Sequence, residues 1–199
     1  MPVETPWLKG TGIPYCVRGQ LCAEDVAAVL WMFEQTLDGT DTIEIGTAYG
    51  GSAYLGARRA KGQGVRHWCI DEFGRPDSLM PGEPSMAITF STLWAVDVHR
   101  WCALVPGTSP EVGWRFTDDQ FGAAFIDGNH TAEWADLDMI FCDRVVRPGG
   151  YVATHDIWPE ADWRHCPEYT AAVYERARAQ GWSEAHRDGG TVVWQLEAT

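Results

Sequence analysis

No two of the six cysteines form a C-x-x-C pair, and no zinc pattern with histidine appears in the 199 residues. Cys69, Cys102 and Cys142 lie inside apolar runs, which predicts buried, reduced thiols and a cytoplasmic protein rather than a disulfide framework. Long apolar runs are absent: none approaches the ~20 residues needed to cross a bilayer, so no membrane partner is expected. The opening MPVETPWLKG carries no apolar stretch of the signal-peptide kind. Basic residues are few, 15 Lys and Arg against 28 Asp and Glu, for a net charge of -13. An acidic surface repels phosphate backbones, so no nucleic acid is expected as partner. The dinucleotide fingerprint G-x-G-x-x-G is missing as well, because Gly46 is followed by Ala48. No internal repeat and no second domain can be seen.

What is present alternates. Residues 23–37 read as a helix, with Val26, Val29, Leu30, Phe33 and Leu37 on one face. Strand-like runs follow at 41–46, 65–71, 102–105, 123–127 and 151–154. Helices are predicted over 52–61, 88–100, 131–146 and 167–179, with Pro148-Gly149-Gly150 stopping the one at 131–146. Two further strand-like runs flank Asp188-Gly189-Gly190, a hairpin signal. Repeated β-α units imply an α/β fold with a mostly parallel sheet and helices on both faces, closed by a C-terminal antiparallel hairpin. The whole chain, 1–199, is expected to be one domain. Residues 1–38 would form an N-terminal lid and helix, and residues 39–199 the ligand-binding sheet.

In such sheets ligands bind beyond the carboxyl ends of the strands. The residues found there are Gly46–Ser52, Asp71-Glu72, Thr108-Ser109, Asp127–His130 and His155-Asp156. The first cluster, EIGTAYGGS, is a glycine-rich turn that lets backbone approach a ligand. The helix behind it offers free N–H groups to a negative group, and Ser52 adds a hydroxyl. An acid such as Asp71 at the end of the next strand can take both hydroxyls of a ribose. Asp127 and Asp156 come from neighbouring strands, so their carboxylates can converge on a hard divalent cation such as Mg²⁺. His155 is then a third ligand or a residue that orients the site. His130 is a candidate general base for a substrate hydroxyl.

As an ordered set, EIGTAYGGS, CIDE, FIDGNH, a helix bearing Asp138 and RPGGYVATHDI resemble the small-molecule O-methyltransferases related to the macrocin and mycinamicin enzymes. More distantly they resemble the metal-dependent catechol-type enzymes. The resemblance covers residues 40–158 or so. It implies a Rossmann-like methyltransferase sandwich with a seven-stranded sheet, S-adenosylmethionine as cofactor and a divalent metal, Mg by analogy. By that resemblance the cofactor is held by Glu44, Gly46, Thr47, Ala48, Gly50, Ser52, Asp71, Glu72, Ser109 and Asp127. Ser52 matches the hydroxyl on the methionine carboxylate, Asp71 the ribose acid, and Ser109 a position near adenine. Asp127, His155 and Asp156 fall on the metal positions and His130 on the base. Position 155 is His where catechol-type enzymes carry an acid, and position 129 is Asn where relatives often have Asp or Ser.

The implied reaction is methylation of a hydroxyl on a sugar-bearing natural product or a catechol-like acceptor. The loops at 1–20, 72–88 and 157–168, with Trp7, Trp158 and Trp163, are expected to cover that acceptor. A homo-oligomer is compatible with the pattern. Three rival readings remain at this point: a metal-independent methyltransferase, a non-catalytic cofactor-binding protein, and a nicotinamide oxidoreductase.

Overall fold

The computed structural model describes residues 21–74, 84–162 and 164–197. The predicted cover loop at 1–20 with Trp7, most of the 72–88 loop, and Trp163 therefore lie outside the described residues. Seven strands form one sheet: β1 (Thr42–Ile45), β2 (His67–Asp71), β3 (Cys102–Pro106), β4 (Phe121–Ile126), β5 (Val146–Thr154), β6 (Ser183–Asp188) and β7 (Thr191–Gln195). Their order is β3-β2-β1-β4-β5-β7-β6. The first five run parallel, and β7 pairs antiparallel with both β5 and β6. Among the described residues no helix is long and apolar enough to cross a membrane.

The central strands are TIEI and FGAAFI, and every residue in them is buried. That is the pattern of strands covered on both faces. Alternation assigns the faces. Ile43, Ile45, Ala124 and Ile126 pack with Met139, Cys142 and Tyr169, which belong to α5 (Ala132–Val145) and α6 (Pro167–Ala179). Phe125, Ala123 and Cys69 pack with Val26, Val29, Ala53 and Ala57, from α1 (Ala23–Gln35) and α2 (Gly51–Gln63). Strand order runs outward from β1 to β3 on one side and from β4 onward on the other. The chain thus switches direction between β1 and β4, and a crevice opens at their carboxyl ends.

The structure redraws several predicted boundaries. α1 stops at Gln35, so Leu37 leaves the apolar face and stands 61% exposed. The third predicted helix is α3 (Met86–Ala95), followed by a turn at Asp97 (φ 55°) and a single 3-10 turn, His99–Trp101. Pro148-Gly149-Gly150 does not stop α5. That helix ends at Val145, and the three residues lie inside β5, where the β4–β5 register shifts between Phe121 and Ala123. A short helix, α4 (Ser109–Val112), was not predicted. Its start is marked by Thr108, whose N–H donates to Glu111 Oε2 at 2.9 Å, and by Pro110.

Candidate functional site

The crevice is a cavity of about 510 Å³, lined by Leu21, by Ile45–Ser52 apart from Gly50, and by residues at the ends of β2, β3 and β4. That volume suits a small organic ligand. Its floor is made by the β1–α2 loop. Gly46 (φ 86°) stands so close to β4 that a Cβ there would lie 2.0 Å from the Asp127 carbonyl oxygen. Only glycine permits this approach. Gly50 (φ 91°) ends the loop and caps α2, and its N–H donates to the Thr47 carbonyl at 2.8 Å. Between them Ala48 sits at φ 44°, a left-handed conformation rare for alanine. Its carbonyl accepts the Thr89 hydroxyl at 2.7 Å.

Asp71 is what fastens this loop. Its Oδ2 accepts the N–H of Thr47 at 2.7 Å and of Ala48 at 2.9 Å, and its Oδ1 accepts the N–H of Phe73 at 2.6 Å. The carboxylate expected on a ribose is thus spent largely on backbone amides. Glu72, the next residue, is exposed and also lines the cleft. Ser52, in the first turn of α2, is buried against the cleft. Glu44, which the resemblance puts on the cofactor, does not line the cavity. Flanked by Ile43 and Ile45, it projects to the α1–α2 side of the sheet, where His67 Nε2 lies 3.3 Å from its Oε2.

At the β3 end, the Ser109 hydroxyl donates to Asp138 Oδ1 of α5, and both residues line the cavity. Burial pushes the Asp138 carboxyl up to about 6, with the Ser109 bond pulling the other way. A carboxyl that binds its proton more tightly in the fold than in the unfolded chain favours the fold at low pH. Its contribution is full below pH 3.8 and is lost as pH rises through about 6. At about pH 8, Asp138→Asn should therefore be more stable than wild type by up to about 3 kcal/mol, and at about pH 5 the gap should narrow. Thermal melts at the two pH values check this; parallel curves for both proteins would refute it.

The β4 and β5 ends carry the titratable cluster. One ligand atom from each of Asp127, His130 and Asp156 lies within 4.8 Å of the other two. His130 Nε2 is 3.2 Å from Asp156 Oδ2 and 3.5 Å from Asp127 Oδ1, and its side chain is 41% exposed. The Asp127 contact and the Asp156 charge hold its pKa above the ordinary value, against burial. Asp156 is turned toward His130 by a left-handed backbone (φ 60°), and its Oδ1 accepts the Trp158 indole N–H at 2.7 Å.

The structure places His155 behind this cluster, between Asp127 and Asp25. The residue is buried, with Nδ1 3.0 Å from Asp127 Oδ1 and Nε2 3.3 Å from Asp25 Oδ2. Both ring nitrogens face carboxylates. Burial alone would lower the His155 pKa, but Asp127 and Asp25 hold it well above the usual imidazole range. From there its Nδ1 braces Asp127 at 3.0 Å. Asp25 was missed altogether. It is a buried acid in the first turn of α1, which also accepts the Gly190 N–H at 2.8 Å and the Cys22 N–H at 3.1 Å. Burial pushes its carboxyl up, yet His155 and Cys22 hold it down at about 2. Its place three residues after Cys22 marks it locally only as a helix-capping acid, while its other partners come from the end of β5 and the β6–β7 turn.

Trp158, expected to face the acceptor, is 7% exposed and packed inside. A Cβ on Gly190 would meet its ring at 2.4 Å, and the Arg164 guanidinium sits 3.3 Å from the ring centroid. Its work is to hold Asp156 in place.

Residues 43–157 match the family described as a methyltransferase domain. Solved structures share the fold at low identity. The O-methyltransferase NovP is 16% identical with a TM-score of 0.66, over 92% of this chain and 84% of that one. Cofactor-bound Rv0187 from MTB is 14% identical with a TM-score of 0.62, over 96% and 86%. An O-methyltransferase from Bacillus cereus in complex with SAH is 12% identical with a TM-score of 0.60, over 86% and 81%.

Proposed function

The chain belongs to the methyltransferase-domain family, and on that premise we propose that it transfers a methyl group from S-adenosylmethionine to a hydroxyl of a small acceptor. The observation that carries this reading is the meeting of Asp127, His130 and Asp156 at one side of a cleft whose floor is the Gly46–Ser52 loop. The amides at the start of α2 and the Ser52 hydroxyl suit the cofactor's carboxylate. Glu72 suits its ribose, and the Ser109–Asp138 end of the cleft suits its adenine. In the reaction the acceptor oxygen bonds to the methyl carbon, the carbon–sulfur bond breaks with its electrons left on sulfur, and the hydroxyl proton goes to His130 Nε2. Holding oxygen and carbon at near-attack distance supplies much of the rate gain.

Two carboxylates and an imidazole within one coordination sphere are a donor set that fits a divalent cation such as Mg²⁺ or Mn²⁺. Asp127 and Asp156 would hold it, with His130 beside them. When bound, such an ion lowers the pKa of a coordinated hydroxyl and fixes its direction. Vicinal hydroxyls, as in sugars and catechols, are the acceptors that such a site favours. One observation supports a metal-free variant: His130 already stands between two carboxylates, a complete acid-base pair without an ion.

Calorimetric titration with S-adenosylhomocysteine, then with Mg²⁺ on that complex, tests the reading. Micromolar nucleoside affinity and a Mg²⁺ signal lost in Asp156→Ala are expected. Nucleoside binding with no Mg²⁺ signal would select the metal-free variant. Absence of nucleoside binding would remove the methyltransferase reading.

A further inference from the structure

A second cluster of donors lies away from the cleft, on the α1–α2 face of the sheet. Glu44, His67 and Cys69 are all buried, at 1%, 0% and 0% exposure, and their ligand atoms lie within 4.8 Å of one another. Register explains the meeting. β1 and β2 run parallel with Thr42 opposite His67 and Glu44 opposite Cys69, so alternate residues of both strands point to one face. Helix α2 makes room for them: a Cβ on Gly56 would meet the His67 ring at 2.4 Å.

The cluster is short of partners. Both Glu44 carboxylate oxygens and His67 Nε2 are buried without a hydrogen bond. A buried carboxylate in that condition calls for a cation or a donor. The His67 ring is already oriented, with Nδ1 2.8 Å from the Thr42 hydroxyl, the partner arrangement that metal-bound histidines show. Glu44 Oε2 and His67 Nε2 stand 3.3 Å apart. Two ligands about 2.0 Å from a tetrahedral cation are separated by about that distance. Cys102 Sγ, 3.1 Å from Cys69 Sγ, brings a further sulfur to the edge of the group.

We propose that Glu44, His67 and Cys69, with Cys102 as an outer donor, form a closed structural site for a thiophilic divalent cation of the zinc class. The mixed O, N and S donors select such an ion over Mg²⁺. Binding replaces the Cys69 thiol proton with a metal–sulfur bond, and the proton leaves to solvent. The ion would clamp β1 to β2 two residues before Gly46 and Asp71, the two residues that shape the floor of the cleft. No C-x-x-C spacing advertises the site, because its ligands come from two strands. It stands or falls independently of what the cleft binds.

The test is elemental analysis of untagged full-length protein after exhaustive dialysis against chelator, paired with absorption spectra of protein produced in cobalt medium. Close to one zinc per chain is expected, with a sulfur-to-cobalt charge-transfer band in the cobalt protein. Cys69→Ser should lose the band and at least tenfold of the metal, while Asp156→Ala should keep both. The cleft cluster contains no sulfur, so the band separates the two sites. Wild-type protein with no retained metal and no band would overturn the proposal and leave Glu44 and His67 as an ion pair. Should Cys69→Ser fail to fold, the wild-type measurements decide alone.

Discussion

Replacing His130 with alanine should lower turnover by about 10²- to 10⁴-fold, the range usual for loss of a general base. Affinity for S-adenosylhomocysteine should change little, because His130 lies on the acid-cluster side of the cleft and not on the glycine loop. The effect should fall on kcat more than on KM, since removing a proton acceptor weakens the transition state and not the ground-state complex. The ring's other contacts are few. It packs edge-on to Tyr169 at 5.3 Å and is part exposed, so the fold should tolerate its loss. Turnover is measured with whichever vicinal diol the wild-type enzyme methylates. An alanine variant with unchanged kcat would exclude His130 as the base and turn attention to Asp127.

Asp71→Ala should act on binding instead. The carboxylate holds three backbone amides, two of them in the β1–α2 loop. Hydrogen bonds to a charged acceptor contribute about 1.5–3 kcal/mol each. Losing the two loop bonds also frees Ala48 to leave its left-handed conformation. Together these should weaken S-adenosylhomocysteine binding by about 100-fold or more. Asp71→Asn should recover little, because an amide cannot replace a carboxylate that accepts on both oxygens. Calorimetry on both variants checks this. If Asp71→Ala kept wild-type affinity, the loop would be holding its shape through Gly46 and Gly50 alone.

Much of this was legible in the chain. Apolar runs such as AAFID marked the buried strands, and the strand-end rule picked out Asp71, Asp127, His130 and Asp156, which the structure places at the carboxyl ends of the strands. Period-2 reasoning says that neighbours face opposite layers, but it cannot tell which layer meets the cleft. Glu44 projects to the α1–α2 layer, away from the cleft lining. The direction of His155 depended on Asp25, a partner from the distant first helix. Asp25 reads locally as a helix-capping acid only, because its contact with Gly190 spans 165 residues of sequence. Pro148-Gly149-Gly150 looked like a helix stop and proved to be an irregularity inside a strand, since proline and glycine mark both.

The hairpin at the end of the sheet has a consequence for how the chain is made. β7, the later strand of this hairpin, fits between β5 and β6 and is not at the edge. Until residues 191–195 have left the ribosome, β5 has an open flank and Asp25 lacks its tether to the hairpin turn. The acid–histidine array around Asp127 would then be assembled only after synthesis of this hairpin, through contacts between distant parts of the chain. Such a topology slows folding and leaves a sticky strand edge on the nascent chain. Cells that make this protein quickly would need chaperone cover for that interval.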